Sequence, residues 1–156
     1  MTDITLRTAR FPSDQPAVLE IFREYVKSPK QDLSYQNFET EFALLPGDYA
    51  EPAGRILLAW HKGNVVGCAA IRKVDHSACE LKRVYVRPVA RGLNIGRLLV
   101  EQLIAEATLI GYSRMCLDVL PEFLTAQKLY ESLGFLPANP VSYNPVPGTK
   151  FLALEL

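Results

Sequence analysis

The sequence predicts an α/β (α+β) protein with a mixed central sheet of about six to seven strands flanked by about four helices. Two observations carry that prediction. First, residues 80–97 read as a strand, a short turn and the start of a long helix, and a second apolar run follows at 114–120. A strand–helix–strand crossover of this size sets its two strands parallel and near one another. Second, residues 55–86 hold three consecutive strand-like runs joined by short links, which is an antiparallel meander. A sheet that contains both is mixed.

The elements follow in order. Ile4 to Ala9 alternates Ile4, Leu6 and Thr8 against Thr5, Arg7 and Ala9, a first strand. Ser13 or Asp14 then caps a helix with Pro16 in its first turn. Val18, Leu19, Phe22, Tyr25 and Val26 form its buried face, and it ends before Pro29. A second helix is expected from Ser34 to Leu45, with Phe38, Phe42 and Leu45 on one face and Pro46-Gly47 as its stop. Pro46 to Gly54 is a loop carrying Asp48 and Glu51.

Arg55–His61 and Val65–Val74 form a hairpin across Lys62-Gly63-Asn64, and the central strand runs from Ala78 to Val86. From Ile95 the period changes. Ile95, Leu98, Leu99, Leu103, Ala107 and Ile110 recur three and four apart, a helix with one buried stripe that ends at Gly111. Arg114 to Leu120 is a short buried strand stopped by Pro121. Glu122 to Leu133 is a helix closed by Gly134, after which Phe135 re-enters the core. Tyr143 to Gly148 is a proline-rich loop, and Lys150 to Leu156 is the last strand.

The turn Arg91-Gly92-Leu93-Asn94-Ile95-Gly96 carries the first chemical signal. Backbone N–H groups at a helix start lack intrahelical partners, and the helix dipole adds positive potential there. Two glycines let a ligand approach the main chain, and Arg91 and Arg97 add full charges. The pattern suits an anion such as a phosphate or pyrophosphate; the bland alternative is a strand–turn–helix joint with two solvated arginines.

This stretch resembles motif A of the GCN5-related N-acetyltransferase (GNAT) family, Gln/Arg-x-x-Gly-x-Gly/Ala, with Arg91, Asn94 and Gly96 at the marked positions. Asn94 stands where glycine is usual, and asparagine is the side-chained residue that best accepts a left-handed backbone. The run 126–135 resembles the family's motif B, with all four markers present as Ala126, Tyr130, Gly134 and Phe135. The resemblance spans most of the chain and implies one N-acetyltransferase domain over residues 1–156.

That resemblance implies acetyl-CoA as donor, with coenzyme A as product. Arg91, Gly92, Leu93, Asn94, Ile95, Gly96 and Arg97 would meet the pyrophosphate, and the backbone of Val84, Tyr85 and Val86 would meet the pantetheine arm where the central strand and its successor splay apart. Thr125 and Lys128 would either meet the coenzyme or stand in solvent. Tyr130 is implied as the proton donor to the leaving thiolate, against the alternative of a core tyrosine. Glu80 is the candidate base, directly or through water, and by period two it shares a side with Lys82, Val84 and Val86. The alternative reading of Glu80 is a structural partner for a neighbouring basic side chain. Asp118 is a second candidate base, and Tyr25 and Tyr35 are candidates for the acceptor wall or for core packing.

Composition excludes other classes. The 156 residues carry a formal net charge of zero, so no broad basic field invites nucleic acid or an anionic membrane. No apolar run reaches the roughly 18 residues of a spanning helix, and no signal-peptide pattern opens the chain, so a cytoplasmic location is expected. Cys68, Cys79 and Cys116 have no CxxC spacing and read as buried free thiols; no metal site is expected. The leading expectation is an acyl-CoA-dependent N-acyltransferase acting by direct attack in a ternary complex on a small primary amine, favoured over a protein amine, as a monomer or homodimer. The alternative is a non-catalytic acyl-CoA-binding or sensing module. A dinucleotide binder is weaker, because the turn is neither GxGxxG nor a P-loop.

Overall fold

The computed structural model describes residues 3–156. Its strands are β1 (Ile4–Thr8), β2 (Arg55–His61), β3 (Asn64–Lys73), β4 (Ala78–Val86), β5 (Arg114–Val119), β6 (Leu136–Pro137) and β7 (Lys150–Glu155). Its helices are α1 (Gln15–Lys27), α2 (Phe38–Ala43), α3 (Ile95–Ile110) and α4 (Leu124–Ser132). The strands form one sheet in the order β1-β2-β3-β4-β5-β7-β6. Among the described strands only the β4–β5 pair is parallel, as the crossover through α3 requires. β1 to β4 are an antiparallel meander; β7 pairs antiparallel with both β5 and β6.

Each face of the sheet buries its own core. On one side Leu57, Ala69, Ile71, Cys79, Leu81, Met115 and Leu117 meet the stripe Ile95, Leu99, Leu103 and Ala107 of α3. On the other, Ile56, Leu58, Cys68 and Ala70 meet Val18, Ile21, Phe22 and Val26 of α1, with Phe42 of α2. The alternation along β2 sends adjacent residues to opposite cores, so a mixed sheet covered on both faces needs apolar residues at nearly every position. All three cysteines are buried free thiols, as expected. Gly67 sets the closeness of α3: a Cβ there would lie 3.1 Å from Ile95, 3.2 Å from Leu99 and 3.2 Å from the Tyr85 carbonyl oxygen.

Three expectations need correction. The single helix over 34–45 is two pieces, a 3-10 turn over Ser34–Gln36 and then α2, because Asn37 adopts a left-handed backbone (φ 55°) between them. Asp14 precedes α1, but its carboxylate does not cap the helix; it accepts from the Arg7 guanidinium at 2.6 and 3.1 Å and from the Arg10 amide at 2.7 Å. That pairing holds its carboxyl below the usual range. α4 starts at Leu124 rather than at Glu122, and the two-residue edge strand β6, carrying Pro137, has no pattern long enough to read.

Candidate functional site

The site begins where β4 and β5 separate. They pair only over Ala78–Glu80 with Arg114–Cys116. Beyond Glu80, β4 stays with β3 as far as Val86, and β5 stays with β7 as far as Val119. The β4 edge from Leu81 onward therefore has no strand partner on that side. A bulge contributes: between Lys82 and Tyr85, β4 carries Arg83 and Val84 against Ala69 alone of β3, and Arg83 takes a left-handed backbone (φ 61°).

The bulge also reverses the alternation. Val84 and Val86 pack toward the α3 core, whereas Tyr85 faces the α1 core. Glu80 and Lys82 lie opposite Arg72 and Ala70, on the α1 side. Glu80 thus does not share a side with Val84 and Val86, which corrects the period-two expectation. Its carboxylate is 2% exposed and fully engaged: Arg72 donates at 3.0 Å to one oxygen and the Ser142 hydroxyl at 2.8 Å to the other.

At the other end of β4 lies the glycine turn. A 3-10 turn over Pro88–Ala90 leads through Arg91 and Gly92 (φ 88°) to Asn94, which precedes α3 in the left-handed region (φ 64°, ψ 21°). Asparagine thereby supplies the conformation for which glycine is usual. Its side chain does not cap the helix, and the first intrahelical bond closes only at Leu98 (3.2 Å to the Asn94 carbonyl). The amides of Ile95, Gly96 and Arg97 are thus at the unpaired helix start. Gly92 is open, with nothing within 4 Å of the place a Cβ would occupy, and Leu93 is 37% exposed. Arg91 folds back, donating to the Val86 carbonyl at 3.0 Å with its guanidinium 5.9 Å from the Tyr85 ring. Arg97 donates to Ser132 at 2.6 Å. Thr125 and Lys128 are exposed on α4 and do not line the cleft between β4 and β5.

Between the separated strands is a narrow cleft of about 40 Å³. Leu81, Lys82, Arg83 and Val84 of β4 form one wall, Asp118 and Val119 of β5 another, and Leu120, Phe123, Ala126 and Tyr130 lead along α4. Tyr25, Gln36 and Asn144 close it. Tyr130 is buried edge-on against Phe135 (5.7 Å). Burial, with Tyr25 and Asp118 nearby, pushes its phenol well above the ordinary value, and no hydrogen bond to it occurs among the described residues. Burial likewise pushes Tyr25 up to about 12. Its ring packs on Tyr85 (6.2 Å) and Phe123 (6.5 Å). Tyr35 sits outside the cleft lining, edge-on to Tyr143 at 6.2 Å.

One cleft charge is neutralised and a second is only partly satisfied. Arg83, its side chain 1% exposed, donates at 3.1 Å to each oxygen of Glu41 and also to Gln36. Asp118 accepts from Asn144 at 2.8 Å through one oxygen. Lys82 differs: it is 7% exposed, and no carboxylate among the described residues pairs with it. Burial pushes its ammonium down, while Asp118 and Glu80 oppose that and Arg83 and Arg72 reinforce it.

Sequence reasoning singles out Tyr130, Asp118 and Tyr25, and all three line this cleft. It misses Gln36, Arg83 and Asn144, which arrive from the broken second helix, the bulge and the proline-rich loop; only the handover between unlike strands hints at any of them. A larger groove of about 490 Å³, lined by Arg7, Phe11, Pro46, Tyr49 and Glu51 among others, shares no residue with the cleft. Neither Asp48 nor Glu51 of the 46–54 loop lines the cleft.

Comparison with known proteins points the same way. The acetyltransferase (GNAT) family pattern matches residues 16–135. An N-acetyltransferase of Schizosaccharomyces pombe is 36% identical over 99% of this chain and 96% of its own. An IAA acetyltransferase of Azospirillum brasilense is 38% identical over 69% of this chain and 71% of its own. The fold is that of a GNAT acetyltransferase from Staphylococcus aureus (TM-score 0.81, 20% identity, covering 98% of this chain and 99% of that one). It is also that of yncA from Salmonella typhimurium, solved with its cofactor acetyl-CoA (TM-score 0.69, 24% identity, 97% and 93%). No helix among the described residues is long and apolar enough to cross a membrane.

Proposed function

The chain belongs to the acetyltransferase (GNAT) family and is an N-acetyltransferase, and from that premise we propose that it moves the acetyl group of acetyl-CoA to the primary amine of a small molecule by direct attack in a ternary complex. Acetyl-CoA supplies the acyl group as an activated thioester. Two features support the fit of this chain to it. The unpaired amides at the start of α3, with Gly92 open beside them and Arg91 near, suit a pyrophosphate. The unpartnered edge of β4 beyond Glu80 offers main-chain groups to the pantetheine amides.

The single observation that carries the catalytic reading is Tyr130: a buried phenol in the cleft, held neutral by its surroundings, with a hydroxyl free of partners among the described residues. That hydroxyl is not among the fully buried unpartnered atoms of the described residues, so it opens onto the cleft, where a proton donor to a bound group has to stand. As the nitrogen–carbon bond forms and the carbon–sulfur bond breaks, Tyr130 gives its proton to the departing sulfur. Asp118, directly or through water, takes the proton lost by the amine, since one of its oxygens is left over after Asn144. Glu80 is assigned instead to holding Arg72 and Ser142, both its oxygens being engaged. The likeness to a relative named for acetylating IAA supports a small acceptor.

The test is release of coenzyme A thiol from acetyl-CoA across a panel of amines. Amine-dependent release supports transfer. No release with any amine, from protein that binds acetyl-CoA, would leave only a coenzyme-binding module.

A further inference from the structure

We propose that Lys82 is the carboxylate anchor of the acceptor site, and that the acceptor is therefore an amino acid, its carboxylate on Lys82 and its amino group toward Asp118. This rests on reading the β4–β5 cleft as the acceptor site. Most charges in and behind the cleft cancel one another. Arg83 is neutralised by Glu41, and Glu80 by Arg72. Lys82 is left without a carboxylate in ion-pair range among the described residues, and Asp118 is left with one unbonded oxygen; the two line the same cleft without pairing with each other. The residual pattern is one cation and one anion held apart, the complement of a zwitterion.

The position of Lys82 is informative. Its side chain is 7% exposed, yet its nitrogen is not among the fully buried unpartnered atoms of the described residues, so the ammonium reaches the open surface of the cleft with no carboxylate on it, where an arriving anion could meet it. Packing does not explain it. The residue lies opposite Ala70 on the α1 face, where an apolar side chain would serve as well. Burial draws the ammonium toward neutrality, and an arriving carboxylate would hold it charged. The location adds to this: Lys82 immediately precedes the bulge at Arg83, where β4 has left β5, so a group anchored there lies beside the unpartnered strand edge. A competing role, Lys82 as the base that takes the amine proton, would instead lower kcat for every acceptor alike.

The experiment measures kcat/KM with acetyl-CoA for the standard amino acids and, for each one turned over, for its carboxamide. Wild type is expected to acetylate at least one amino acid about 100-fold better than its carboxamide, because a site built for a charged group rejects the analogue that leaves the site's charge unpaired. Lys82→Met should collapse that ratio to about one, mainly through KM for the amino acid, and Lys82→Arg should restore part of it. Lys82→Met should melt no lower than wild type, since it removes an unpaired buried charge.

Equal use of amino acid and carboxamide by wild type would overturn the anchor and leave the transferase reading standing. A fall in kcat for both acceptors in Lys82→Met, with their ratio kept, would make Lys82 a proton acceptor and overturn the anchor. A large loss of melting temperature would show a structural role and do the same. Turnover of no amine at all would remove this proposal together with the transfer reading on which it rests.

Discussion

Replacing Tyr130 with phenylalanine removes one oxygen and little else. The ring keeps its edge contact with Phe135, 5.7 Å between centroids, and no described protein group loses a partner. Folding stability should therefore move by no more than about 0.5 kcal/mol, because the cost of truncating a polar group lies mostly in partners left unpaired. The rate should fall by about 10²–10⁴, the usual contribution of a positioned general acid, which is roughly 3–5 kcal/mol of barrier. The assay is steady-state thiol release at saturating amine, with acetyl-CoA binding measured separately to show that the site survives. The pH profile adds a second check. Burial holds the phenol protonated well past the ordinary tyrosine range, so the factor lost in the variant should stay constant as pH rises through about 10, the unperturbed tyrosine value. A loss below about tenfold with binding intact, or a factor that vanishes between about pH 8 and 10, would refute the assignment of Tyr130 as donor.

Other predictions follow from the same packing. Gly67→Ala puts a Cβ 3.1–3.2 Å from Ile95, Leu99 and the Tyr85 carbonyl, and should cost about 1–3 kcal/mol in denaturant melts and weaken acetyl-CoA binding by shifting the start of α3. Arg83→Met strands the Glu41 carboxylate and should cost about 3–5 kcal/mol; adding Glu41→Gln should recover part of it, and simple additivity of the two losses would contradict the pairing. Stability should also decline on the alkaline side. Tyr25 and Cys79 are each pushed up to about 12 by burial, from 10.0 and 9.0. Groups raised on folding contribute fully below their unfolded values and lose that contribution as pH rises through the folded ones, so the loss should run from about pH 9 to 12. A flat chemical-denaturation stability across that window would contradict it.

Much of this molecule is legible in its sequence because periodicity and turn chemistry are local. The change from period two to period 3.6 between Val86 and Ile95, with Gly92 beside Arg91, locates the turn, and the left-handed tolerance of asparagine anticipates Asn94. The same tolerance breaks the expected second helix at Asn37, where an amphipathic pattern continues across a residue free to leave it. The face of Glu80 escapes local reading for a non-local reason. One extra residue in β4, set by pairing with β3, shifts the alternation after Lys82, and nothing in residues 78–86 announces it. Asn144 reaches Asp118 across 26 positions from a loop whose sequence indicates only irregularity. In the sequence Lys82 stands as a neighbour for Glu80; its isolation is visible only once Arg72 is seen to hold that carboxylate.

Calorimetric titration with acetyl-CoA, alongside dephosphorylated coenzyme and free nucleotide, tests the central claim most directly. Binding in the micromolar range that is lost when the pantetheine arm is absent would establish that the open edge of β4 and the turn at Asn94 act together as the coenzyme site. Absence of binding by folded protein, or equal binding of the nucleotide alone, would contradict it.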